Sequence, residues 1–79
     1  MSRMYLQVEA PKYEHMLPAT CSVIADAPAS AILWEAYIDH RTSQPVYLCS
    51  MSDGNMHMLP EDKIVTNSVV HVQINKAVE

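Results

Sequence analysis

Apolar and polar residues alternate along this chain in runs of strand length, each closed by polar punctuation. The longest such run covers 31–39, Ala-Ile-Leu-Trp-Glu-Ala-Tyr-Ile-Asp, and holds the one tryptophan. A second run, Val46-Tyr47-Leu48-Cys49, leads through Ser52-Asp53-Gly54-Asn55 into Met56-His57-Met58-Leu59. Asp-Gly between two apolar runs is a strong hairpin signal, because a type I′ turn needs positive φ at both central residues. Together the three runs predict an antiparallel meander.

The flanks add shorter elements. Residues 4–9 alternate as a first strand ended by Pro11, and 21–25 read as a second. Between them 12–20 connects, with one helical turn around 13–17 that Pro18 stops. Leu59-Pro60-Glu61-Asp62-Lys63-Ile64 reads as a single helical turn, since Pro and two acids suit a first turn. Val69-Val70-His71-Val72-Gln73-Ile74 is the last strand. The predicted fold is mainly β: a small antiparallel meander or a partly open barrel of five to six strands with one short helical turn. The rival is an α+β fold with a helix at 28–40 packed on an antiparallel sheet, in which Asp26 is the N-cap and Pro28 lies in the first turn. Alanine content favours that helix, but it would put Ile32 on a wet face beside Glu35 and Asp39.

Register decides which residues share a face. A 40–44 loop sets Asp39 opposite Pro45, Tyr37 opposite Tyr47 and Leu33 opposite Met51, and the Asp53-Gly54 turn sets Met51 opposite Met56. One face is then Ile32, Trp34, Ala36, Ile38, Val46, Leu48 and Leu59, with Trp34 mostly buried. The other is Leu33, Glu35, Tyr37, Tyr47, Cys49, Met51, Met56 and Met58. A slip of one residue in either loop exchanges the sets.

Seventy-nine residues allow one domain with a modest core, and 49% apolar residues at a net charge of −4 fit a globular chain rather than a disordered one. No apolar run has membrane-span length and no secretory leader is visible, so the chain reads as a complete cytoplasmic protein. Nine acids against five bases disfavour a direct nucleic-acid binder that neutralises phosphates.

Candidate chemistry is sparse. Cys21, Cys49 and the histidines at 15, 40, 57 and 71 are possible zinc donors, but no two histidines fall within four residues of each other. Cys49 with His57 or His71 is a conceivable nucleophile pair lacking an evident oxyanion hole. Glu35 and Asp39 read as solubilising charges rather than an acid–base pair. Neither a cofactor nor catalysis is expected.

The feature that stands out is the Tyr- and Met-rich second face: Leu33, Glu35, Tyr37, Asp39, Tyr47, Met51, Asp53, Met56 and Met58. Interfaces favour Tyr and Met, and exposed apolar patches mark partners. The opposing reading makes that face core, covered by the first strand and the 12–20 segment. The expected function is a stoichiometric protein-binding module for a partner with a basic surface. Size and charge are those of phage- or plasmid-type inhibitors, anti-CRISPR proteins among them, that occupy a nucleic-acid-handling partner. The alternatives are an assembly subunit that self-associates and a small metal-binding or Cys-His enzyme domain.

Overall fold

A computed structural model describes residues 10–73. The strand expected at 4–9 lies outside the described residues. Five antiparallel strands form one sheet: β1 (Ala19–Ile24), β2 (Pro28–Ile38), β3 (Pro45–Met51), β4 (Met56–Pro60) and β5 (Val70–His71). The order is β4-β3-β2-β1-β5, a meander with the last strand brought back beside the first, and the sheet is open rather than closed into a barrel. Short 3-10 turns occupy Glu14–Met16 and Glu61–Lys63, near both expected helical turns.

The rival helix at 28–40 is overturned, because β2 runs through Pro28–Ile38 and pairs on both sides. Alanine's helix propensity yields here to cross-strand packing, since Ala29, Ala31 and Ala36 let strands and covering segments approach the core closely.

The predicted register is corrected in three places. The β2–β3 loop is one residue shorter than expected: Asp39 N–H donates to the Gln44 carbonyl at 2.8 Å, and Ser43, at φ +60°, donates back to the Asp39 carbonyl at 2.7 Å. Tyr37 therefore faces Val46, and Ala36 faces Tyr47. Next, Trp34 is an extra residue: Leu33 pairs with Cys49 and Glu35 with Leu48, a β-bulge. Lastly, the Asp53-Gly54 turn is not type I′. Only Gly54 has positive φ there (+82°), and its N–H donates to the Met51 carbonyl at 2.9 Å. This is the three-residue hairpin with glycine in the left-handed position. Met56 consequently faces Ser50, and Met58 faces Leu48.

The core follows from this register. Cys21, Val23, Ala31, Leu33, Tyr47 and Cys49 form the buried side of the sheet, and Tyr13 and Ile64 pack onto them from the connecting segments. Met16, Leu17 and Val69 close around that cluster. Burying a leucine such as Leu33, which is 0% exposed, contributes on the order of 1.5–3 kcal/mol. The outer edge of β1 is sealed by the chain that follows the second 3-10 turn. Val23 bridges Ile64, Val65 N–H donates to the Ser22 carbonyl, and Ser22 N–H donates to Ser68 Oγ at 3.0 Å. β5 completes the seal against Ala19 and Thr20.

Candidate functional site

The two sides of the sheet are unequal. One carries the core. On the other, Ile32, Trp34, Glu35, Tyr37, Val46, Leu48, Met56 and Met58 share a face that no described segment covers. Alternation along each strand accounts for most of this set, and the bulge for the rest: at a bulge both Trp34 and Glu35 project to the side away from Leu33. Trp34 confirms that placement, because its indole N–H donates to Ser50 Oγ at 3.0 Å, and Ser50 lies between Ile32 and Met56 across the strands.

The expected nine-residue surface is thereby divided. Leu33 and Tyr47 are 0% exposed and Met51 packs against the core, so these three belong to the covered side. The opposing sequence reading holds for them, with Tyr13, Met16 and Leu17 of the 12–20 segment as cover. Glu35, Tyr37, Met56 and Met58 lie on the open side, with exposures of 42% for Tyr37, 52% for Met56 and 51% for Met58. Asp39 sits in the β2–β3 loop and Asp53 in the β3–β4 turn. Trp34, expected mostly buried, is 38% exposed, because it alternates with buried Leu33 onto the side that no described segment covers. Ile32, Val46 and Leu48 join the open face although the sequence assigned them to the opposite set. The signals that sequence reasoning lacked were the bulge, which no residue type at 33–35 announces, and the closing register of the two hairpin loops.

Polar geometry on the open side is thin. Glu35 is the one Asp, Glu, Lys or Arg in the five strands. Its carboxylate accepts the Tyr37 hydroxyl, and that bond raises the phenol above its ordinary range. At the end of the face near the β2–β3 loop, a groove is lined by Tyr37, Asp39, Thr42, Val46, Met58 and Pro60. In the β3–β4 turn Asp53 Oδ1 accepts the Asn55 N–H at 2.8 Å, and Oδ2 lies 3.0 Å from Nε2 of His57, which alternates with Met56 and Met58 onto the covered side. The Asn55 amide and then the imidazole hold the Asp53 carboxyl below its usual value.

The covered side uses its polar groups for structure. Tyr47 OH accepts the Tyr13 N–H at 3.0 Å and donates to Glu61 Oε2 at 2.6 Å, and the same oxygen accepts the Lys12 N–H at 2.7 Å. Burial, then the bond to Glu61, raises the Tyr47 phenol well above its usual range.

Cys49 and His57 stand directly opposite each other, as a Cys-His pair would require. The thiol, however, donates to the His57 main-chain carbonyl at 3.5 Å, while the imidazole turns to Asp53. Burial raises both thiols, Cys21 to about 11 with a smaller contribution from Cys49. A neutral buried thiol is a poor nucleophile. Among the described residues no three His, Cys, Asp or Glu side chains gather where one metal ion could bind, and no helix is long and apolar enough to cross a membrane. No family model, curated protein or solved structure matches this chain.

Proposed function

We propose that this chain is a stoichiometric, non-catalytic protein-binding module that works in the cytoplasm and docks through the open face of its sheet. The observation that carries this reading is the set of Trp34, Tyr37, Met56 and Met58, all exposed on one face where Glu35 is the only charged strand residue among the described residues. Interface centres are depleted in charge and enriched in Trp, Tyr and Met. Soluble proteins seldom leave such a patch open without a partner. Asp39 lies beside the patch at its β2–β3 end, and the net charge of −4 favours a partner with a basic surface. An inhibitor of phage or plasmid type, occupying a nucleic-acid-handling protein, fits that format.

The test is capture from the native host with the parent and two variants. Tyr37→Ala should weaken binding of the captured partner by about 1–3 kcal/mol, as an interface anchor does. Asp39→Lys should slow association and flatten its salt dependence, with a smaller effect on dissociation. Full retention of binding in Tyr37→Ala together with Trp34→Ala would remove the open face from consideration.

A further inference from the structure

We propose that β4 pairs with the β4 of a second copy about a two-fold axis at Met58, joining two five-stranded sheets into one continuous sheet. This goes beyond the open-face reading, since it concerns the edge of the sheet and a different occupant.

The direction of the β4 main chain is set by its turn. Met51 N–H donates to the Asn55 carbonyl, so Met51 and Asn55 are a hydrogen-bonded pair. Antiparallel alternation then makes Cys49 with His57 and Tyr47 with Leu59 the next bonded pairs. The N–H and C=O of Met56 and Met58, with the C=O of Pro60, therefore point away from β3. No described segment pairs with them, whereas the other edge of the sheet is backed by residues 64–71.

Exposed edges are normally guarded by charges, an internal proline or a bulge. β4 reads Met-His-Met-Leu-Pro, with no Lys, Arg, Asp or Glu, no bulge, and proline only as its last residue. That proline fits a two-fold partner. With Met58 opposite Met58, the two residues exchange both N–H and C=O bonds, and Met56 faces Pro60 at each end. Each Met56 N–H then reaches a Pro60 carbonyl, so every outward N–H of both strands is satisfied despite the proline. Met56 and Met58 side chains of the two copies meet on the open face and join its apolar strip to its mate. The opposing term is charge: each copy carries a net −4, and Asp53 of one copy comes near the Glu61–Lys63 turn of the other, whose Glu, Asp and Lys sum to −1. Added salt screens that repulsion, so dimerisation strengthens with salt, the reverse of docking on a basic partner.

The experiment uses the full chain. Sedimentation across a concentration series should show a monomer–dimer equilibrium that shifts toward dimer as sodium chloride is raised. Met58→Cys under mild oxidation should give a covalent dimer, because bonded antiparallel residues have Cα atoms about 5.5 Å apart, within disulfide reach. Met56→Cys should not, since its mate lies four residues along, about 13 Å away. Met58→Lys, which sets like charges at the axis, should weaken the dimer about tenfold or more and leave the melting of the dilute monomer unchanged. A monomer at every concentration and salt, equal crosslinking of the Met56→Cys and Met58→Cys chains, or a dimer untouched by Met58→Lys would each overturn the proposal. Open-face binding is read separately through Tyr37→Ala, so the two readings fail independently.

Discussion

The two faces of this sheet come from the same strands and are built from nearly the same residue types, yet they do opposite things. The covered face holds Leu33, Tyr47 and Cys49 at 0% exposure and spends its one phenol on bonds to Tyr13 and Glu61. The open face holds Trp34, Tyr37, Met56 and Met58 against solvent, with a phenol bonded only to its neighbour Glu35. Hydrophobicity alone does not separate core from surface here. What separates them is whether a connecting segment crosses above, and on one side residues 13–17 and 64–69 do so.

This contrast is open to direct attack. The largest effect should come from Tyr47→Ala, which empties a fully buried site, removes the acceptor of the Tyr13 N–H and takes one donor from Glu61. A loss of about 3–5 kcal/mol in urea unfolding is expected, against a near-neutral result if Tyr47 were a surface anchor. Leu33→Ala should follow at about 2–5 kcal/mol. Tyr47→Phe keeps the ring but leaves the buried Tyr13 N–H without its acceptor, and should cost about 1–3 kcal/mol.

Alkaline pH probes the same face more gently. The Cys21 thiol is raised from 9.0 to about 11 in the folded chain, so its contribution is intact below the unfolded value and is lost as pH climbs through that window. Tyr47, also raised, adds a loss in the same direction at higher pH. Unfolding curves from neutrality to about pH 11 should show declining stability, with a shallower decline in Cys21→Ala. The smallest effect sharpens the comparison from the other side: Tyr37→Ala and Met58→Ala should each move stability by no more than about 0.5 kcal/mol, as surface changes do. A loss near that of Leu33→Ala in either would mean the open face is covered after all.

The strands were legible in the sequence because apolar runs and their punctuation are local. Residues 31–39 and 46–49, the Asp-Gly turn and both helical turns fell close to the observed elements. Faces were not legible, because they depend on register, and register accumulates small non-local choices. Ser43 in a left-handed conformation shortened one loop, Gly54 alone rather than Asp53-Gly54 shaped the other, and Trp34 slipped in as a bulge. Each step shifts alignment by one residue, and one residue exchanges the faces. Leu33 kept its expected companions Tyr47 and Met51 only because two of those shifts cancelled in parity. Tyr37, one shift away, changed sides.

The Tyr47 hydroxyl has a consequence for the order in which the chain is made. Lys12 and Tyr13 leave the ribosome early, yet their amides dock on Glu61 and Tyr47, which are made 49 and 34 residues later. The outer edge of β1 likewise waits for residues 64–71. A nascent chain stalled before residue 61 can form the β2–β3 hairpin, whose contacts are local, but lacks the lid for its core. Tyr13, Leu33 and Val23 would all be within reach of a chaperone at that stage. Protection of the N-terminal segment from protease should therefore appear late and abruptly in translation, once Glu61 and Ile64 have emerged, rather than growing with chain length.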